Sequence, residues 1–265
     1  YTMNIYFHSK NKSIIKGMAK GGSIMAKLRL DKLLANCGMG TRKEVKSLIK
    51  QGLVVINDKI AKDPGMYIDT DADSVFVGGN NLEYKEFYYL MMNKPAGLIS
   101  ATEDKIQGTV LDIIPYEYSH INLFPVGRLD KDTEGLLVLT NDGKLAHRLL
   151  SPKKHVPKTY FAQIEGLVTN KDIEIFEKGI TLDEDFTTLP SQLEILESKD
   201  ISKVMVSIYE GKFHQIKRMF EYVGKKVIYL KRISMGNLKL DKSLSPGNVR
   251  ELTDEEIRIL YDSDN

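Results

Sequence analysis

The 265-residue sequence predicts an α+β protein in two parts: a small domain of helices and a hairpin, linked to a larger domain with a mixed, mainly antiparallel sheet flanked by helices. Three observations carry this. Apolar residues recur at helical spacing, with capping signatures, between Leu28 and Gly52. Strand-like segments bounded by Gly, Pro and Asn turn signals dominate from Phe87 onward. Charge is also segregated: Lys27 to Lys62 holds nine Lys or Arg against three acids, whereas Asp63 to Glu86 holds one Lys against six acids.

The net charge of +2 therefore hides a basic patch. The single Cys37 excludes an internal disulfide and offers no thiolate cluster for zinc, which fits a reducing, cytoplasmic compartment. No run approaches the ~18 apolar residues of a membrane span, and the first 24 residues lack a signal peptide's apolar core. Residues 1–24 are polar, start without Met and precede a more convincing start at Met25, so they read as an irregular extension.

Residues 25–84 form the first expected domain. Leu30, Leu33 and Leu34 share one helical face, ended by Gly38-Met39-Gly40. Thr41 and Glu44 form a capping box for the next helix, which buries Val45, Leu48 and Ile49 and projects Arg42, Lys43, Lys46 and Lys50 from its other face. Leu53–Ile56, Asn57-Asp58 and Lys59-Ile60 read as strand, tight turn and strand. A basic helix face is ordinarily just solvated; here its concentration in a compact helix–turn–helix–hairpin favours phosphate contacts. Asp69, Asp71 and Asp73 lack the Gly and terminal Glu of a calcium loop. No metal is expected.

Residues 85–262 form the second. Phe87–Met92 is strand-like, and Asn93–Gly97 is a turn with Lys94 beside a rigid Pro. Val110–Ile114 reads as a short helix. Residues 124–143 place a charged, Gly-flanked loop before the buried strand Leu136–Leu139, and Asn141-Asp142-Gly143 is a turn signal. In an extended loop Arg128 and Asp130 leave the same face. An Asp in such a loop is ordinarily a turn or cap residue. Lys144–Leu150 reads as a helix, followed by the exposed, basic Lys153-Lys154-His155.

Lys158–Gly166 alternates as a strand with Lys158, Tyr160 and Ala162 on one side, and Asp172–Lys178 reads as a helix. Lys203–Tyr209 is an alternating strand leading into a helix over Phe213–Val223, closed by Gly224, with Ile216, Met219, Phe220 and Val223 as its apolar stripe. His214, Lys217 and Arg218 fall off the stripe; Lys217 sits near its buried edge, where an ammonium calls for a carboxylate partner. Lys226–Ile233 is a last strong strand, and the Thr253 capping pattern starts a final short helix.

Arg29–Leu34, Gly40–Val45 and Ile49–Asn57 resemble the small RNA-binding module named after the fourth small-subunit ribosomal protein. Gly127–Leu137, Lys158-Thr159-Tyr160 and Glu210–Phe220 resemble the RsuA-type ribosomal RNA pseudouridine synthases, and the likeness runs from residue 25 to about 260. The resemblance implies isomerisation of uridine to pseudouridine in ribosomal RNA, with neither metal nor organic cofactor. Position by position it makes Asp130 the catalytic Asp, Tyr160 the base-stacking Tyr, Lys217 the basic partner of Asp130 and Arg128 the residue holding the target flipped out. Leu230 falls where the family packs an apolar side chain near the site. Arg29, Arg42, Lys43, Lys46, Lys50, His214 and Arg218 are the candidate RNA-binding surface, while Asp132 and Glu134 are left as loop structure or solvent contacts.

The wording His214–Phe220 resembles the small-subunit enzymes, so 16S rRNA in an assembling subunit is the expected partner, with 23S rRNA the alternative. A glycosidase-like hydrolase using Asp130 and Glu134 would call for more aromatic platforms, and Trp is absent. A non-catalytic rRNA-binding assembly factor would leave Asp130, Tyr160 and Lys217 unexplained. A monomer is expected, since no self-complementary apolar surface is legible.

Overall fold

The computed structural model describes residues 27–184 and 186–263; the extension expected over residues 1–24 lies outside the described residues. The chain divides into two compact units between Tyr84 and Lys85.

In the first unit, strand Lys27–Arg29 pairs antiparallel with Tyr67–Asp69. That pairing keeps Leu28 and Arg29 extended, so the first helix spans Leu30–Asn36 and opens on the first residue of its apolar face. The second helix, Arg42–Lys50, opens on a full capping box: the Thr41 N–H donates to Glu44 Oε2 at 2.6 Å and the Glu44 N–H to Thr41 Oγ1 at 3.4 Å. Leu30, Leu33, Leu34, Val45 and Ile49 pack on Val54 and Ile68 in one core. Asn57 and Asp58 are both left-handed (φ 46° and 64°), which closes the Val54–Ile56 and Lys59–Ile60 hairpin in two residues. The neighbouring acids serve their own turn. Asp73 Oδ1 accepts from Asn57 Nδ2 at 2.6 Å and Asp73 Oδ2 from the Asp69 N–H at 2.8 Å.

The second unit is built on a mixed sheet in the order Gln192–Glu197, Ile201–Ile208, Lys158–Glu165, Lys226–Met235, Glu134–Thr140, Tyr89–Lys94, Val249–Glu251. Every pairing along this order is antiparallel except that of Lys226–Met235 with Glu134–Thr140. The continuous apolar runs at Tyr89–Met92 and Leu136–Leu139 follow from burial on both faces. Leu90, Met92, Leu137 and Leu139 enter a core with Ala162, Phe176 and Phe220, while Met91, Leu136 and Val138 enter another with Leu145, Leu149 and Leu260. These strands hold the end of the loop that precedes Glu134 between two solid layers.

Two local readings change. Residues 110–114 form successive turns, not a helix: the Val110 N–H goes to the Ile99 carbonyl at 3.0 Å, and the Asp112 and Ile114 N–H groups reach back only three residues, to the carbonyls of Thr109 (3.3 Å) and Leu111 (3.4 Å). Asn141-Asp142-Gly143 is a helix start: Asp142 Oδ1 accepts from the N–H groups of Lys144 (2.9 Å) and Leu145 (3.1 Å) to cap Gly143–Leu150.

The parallel contact depends on Gly135 (φ 101°): a Cβ there would lie 2.2 Å from the Arg232 carbonyl oxygen. Gly135→Ala is expected to destabilise the unit by about 2–4 kcal/mol, combining left-handed strain with overpacking against backbone. The midpoint of urea unfolding measures this; a midpoint equal to that of the wild type would show that the strands can part without cost.

Candidate active site

The segment between the short strand Phe124–Pro125 and the strand Glu134–Thr140 is tied down along its length. Leu129 is buried and fixed by Ser100, whose hydroxyl accepts from the Leu129 N–H and donates to the Leu129 carbonyl, both at 3.0 Å. With Leu129 turned inward, Arg128 and Asp130 on either side face outward. The Thr133 N–H then closes a turn on the Asp130 carbonyl at 3.1 Å.

Lys94 anchors the loop from beneath. Its side chain is fully buried at the end of its strand, and its ammonium donates to the carbonyls of Pro95 (2.9 Å), Thr133 (2.9 Å) and Lys131 (3.3 Å). Burial pushes Lys94 down to about 8, against the pull of Asp132, Asp130 and Glu134. The Gly97 N–H adds a second bond to the Lys131 carbonyl at 2.8 Å.

A cleft opens above this loop, lined by Arg128, Asp130, Thr133, Tyr160, His214, Gln215, Ile216, Lys217 and Leu230. Tyr160 reaches it from the strand Lys158–Glu165 and Leu230 from the neighbouring Lys226–Met235. Lys217 comes from the helix Gln215–Tyr222, whose other face buries Ile216, Met219 and Phe220. This helix starts two residues later than its apolar spacing predicts, because His214 is held left-handed at φ 49°.

Lys217 Nζ lies 3.2 Å from Asp130 Oδ2 and binds Asp132 more closely, at 2.7 and 2.9 Å. Asp132 is therefore a principal partner of Lys217 and more than a solvent contact. Although its side chain is 71% exposed, the partial cover it has opposes its ionisation; the Lys217 ammonium outweighs this and lowers its pKa below the usual carboxylate value. In the same way Lys217 is raised despite burial, by Asp132 and Asp130 together. Glu134 also has a structural partner, accepting from the Tyr229 hydroxyl at 2.7 Å. His214 Nε2 stands 3.7 Å from Asp130 Oδ1, too far for a hydrogen bond.

The structure thus gathers Asp130, Arg128, Tyr160, His214, Lys217 and Leu230 around one cleft. Arg218 is directed elsewhere, donating to Asp183 Oδ2 at 2.7 Å and the Leu182 carbonyl at 3.0 Å. In the first unit, Arg29 is engaged by Asp31 through two hydrogen bonds of 3.1 and 2.9 Å, whereas Arg42, Lys43, Lys46 and Lys50 are exposed. Sequence reasoning missed Asp132 and the anchoring roles of Lys94 and Ser100. For Lys94 a signal existed: a lysine ending an otherwise apolar strand needs buried acceptors. Among the described residues no three His, Cys, Asp or Glu side chains come together as a metal site.

A carboxylate held beside an ammonium at the edge of an aromatic-lined, half-enclosed cleft can act as nucleophile or base on a flat polar ring laid against Tyr160.

Comparison with known proteins gives the family. The family described as RNA pseudouridylate synthase matches residues 88–222, and the S4 domain matches residues 28–72. The chain is 52% identical over 234 residues to the uncharacterized RNA pseudouridine synthase YtzG of Bacillus subtilis (strain 168), covering 88% of this chain and 98% of that protein. It is 38% identical to the ribosomal large subunit pseudouridine synthase B of the same organism, over 88% of this chain and 95% of the relative. It is likewise 38% identical to the ribosomal small subunit pseudouridine synthase A of Vibrio cholerae serotype O1, over 88% and 100%. A crystal structure of a pseudouridylate synthase superposes with a TM-score of 0.62 at 38% identity, over 88% of this chain and 99% of that one.

Lys94 gives the loop a pH signature. Its folded pKa, about 8, lies below the ~10.4 of an unfolded lysine, so between these values the unfolded chain binds more protons and stability rises with pH. Lys94→Met removes that contribution. The stability of wild type relative to the variant, measured by urea unfolding, is expected to rise from pH 8 to pH 10; a constant difference would contradict a depressed Lys94.

Proposed function

Since the chain belongs to the RNA pseudouridylate synthase family, as an RsuA/RluB-type enzyme acting on RNA, we propose that it converts a specific uridine of 16S ribosomal RNA to pseudouridine. The observation that carries the catalytic assignment is the Asp130 carboxylate, 3.2 Å from the Lys217 ammonium in the cleft lined by Tyr160 and Leu230.

The reaction breaks the N1–C1′ bond, turns the uracil and joins C5 to C1′; the C5 proton leaves and N1 gains one. No electrons are exchanged, so nothing in the balance calls for a redox cofactor. An ionised carboxylate at Asp130 serves any of three first steps: attack at C1′, attack at C6, or removal of a sugar proton. Lys217, itself held by Asp132, keeps a positive charge beside it. A stacked uridine cannot reach Asp130, so the base is flipped at a cost of a few kcal/mol. Stacking on Tyr160, filling of the gap in the helix by Arg128 and packing against Leu230 offset that cost. Arg128 is exposed at the cleft and makes no ion pair among the described residues, which leaves its guanidinium available.

Exposed Arg42, Lys43, Lys46 and Lys50 on one helix of the first unit suit the RNA backbone, in keeping with the S4 match. Preference for 16S rRNA rests on His214–Phe220, whose wording follows the small-subunit enzymes. The equal identity to a large-subunit enzyme makes 23S rRNA the second reading. Such a substrate places the protein in the cytoplasm, where ribosomal subunits are assembled.

Incubation with 16S and 23S transcripts, followed by pseudouridine mapping, tests the proposal. Wild type is expected to modify one uridine in 16S, and Asp130→Asn to form no product while RNA affinity stays within about threefold. A modified 23S transcript would overturn the 16S assignment, and an active Asp130→Asn would overturn the role of Asp130. Replacing Lys43 and Lys46 together by Ala should reduce the slope of log affinity against log salt by about 0.7–0.9 for each phosphate no longer neutralised. An unchanged slope would remove this helix from the interface.

A further inference from the structure

Beside the cleft the chain exposes an aromatic side chain that neither core uses. Phe213 is 73% exposed, although a ring of this size is ordinarily buried. Its ring stacks on that of His214, with centroids 3.8 Å apart and planes inclined by only 17°. His214 in turn lines the cleft, 3.7 Å from Asp130. The two rings therefore form a short stack that begins at the candidate catalytic carboxylate and ends in solvent.

The mount beneath this stack is rigid. Gln215 is buried, and its side chain accepts from the Lys212 N–H at 3.0 Å and donates to Glu210 Oε1 at 2.8 Å. Glu210 Oε1 also accepts from the Leu189 N–H at 2.9 Å, and the Gln215 N–H closes the turn on the Lys212 carbonyl at 3.1 Å. The turn ends with His214 left-handed (φ 49°), a conformation uncommon for a non-glycine residue. An apolar ring held out into water on so constrained a turn costs stability and does nothing for the core.

We propose that the Phe213–His214 stack is a platform for a nucleobase next to the flipped uridine, with the open face of Phe213 receiving it. This rests on the reading of the cleft as the uridine site. One face of Phe213 is covered by His214, so one face is left for a flat ligand. Any RNA base can use it, because stacking on an aromatic ring needs no particular hydrogen-bonding edge. Charge favours RNA over an apolar partner: Lys212 and Arg128 line the same cleft, and both are exposed cations. A base held here stays stacked while its neighbour leaves the helix, so part of the flipping cost is recovered at Phe213.

Two measurements test the platform. The first is kcat/KM for pseudouridine formation on the rRNA transcripts with Phe213→Leu and Phe213→Trp. Leucine keeps apolar bulk without a π face, and is expected to lose about 5- to 150-fold, the loss of one stacked base; tryptophan is expected to stay near wild type. Both variants should melt like wild type, because Phe213 contributes little buried surface. The second is crosslinking of wild type to the same transcripts at 254 nm, with the joined peptide and nucleotide identified by mass spectrometry. A crosslink from Phe213 or His214 to a base adjoining the modified uridine is expected. Wild-type kcat/KM in Phe213→Leu, or crosslinks that avoid residues 213 and 214, would overturn the platform. If neither transcript is modified and Phe213 still crosslinks to RNA, stacking of a base on Phe213 stands and the substrate assignment falls.

Discussion

One ammonium group organises the candidate site. Lys217 lies 3.2 Å from Asp130 and 2.7 Å from Asp132, so a helix and a loop far apart in sequence are joined by one cation shared between two carboxylates. The two acids are placed differently. Asp130 faces the cleft, while the side chain of Asp132 is largely exposed and binds Lys217 with both oxygens. Asp132 thereby fixes the ammonium and leaves Asp130 a partner that need not be held by Asp130 alone. In the proposed chemistry the reactive carboxylate keeps one oxygen directed at the substrate because its neighbour carries most of the pairing.

That arrangement needs a loop that does not move. Lys94 supplies the constraint by a means unusual for a lysine: its charge lies inside the protein, against three backbone carbonyls. Ser100 fixes the other side of the loop through Leu129. The strand that follows is sealed between two apolar layers and meets its parallel neighbour at Gly135, where no side chain fits. Rigid elements and a buried cation thus aim a short polar segment, a division of labour that suits chemistry on a base taken out of its stack.

Much of the fold is legible in the sequence wherever one physical cause acts locally. The Thr41–Glu44 capping box, the two-residue turn at Asn57-Asp58 and the alternation of Lys158–Glu165 are each written in a few adjacent residues. The strands buried on both faces are visible as apolar runs, although the runs do not say which neighbours cover them. Within the site, Asp130, Tyr160 and Lys217 are marked by residue type and motif, and the structure gathers them with Leu230 around one cleft. What escapes the sequence depends on geometry between distant segments. Lys94 looks like a turn lysine until its carbonyl partners are known, and Asp132 looks like a solvated acid until the helix carrying Lys217 is set against it. The late start of that helix follows from the left-handed His214, which no propensity would place there. The apparent helix at residues 110–114 gives way to turns for a similar reason, since Val110 is tied to the distant Ile99 and the amides of Asp112 and Ile114 close three-residue turns.

The shared cation is the claim on which the account stands, and Lys217→Met tests it most directly. The measurement is the single-turnover rate of pseudouridine formation at saturating RNA, so that weaker binding does not enter. Loss of a charge-assisted partner from the reacting carboxylate predicts a fall of about 10- to 100-fold, with the melting temperature little changed. A Lys217→Met rate within threefold of wild type would contradict the account, because Asp130 would then do its work without the ammonium beside it.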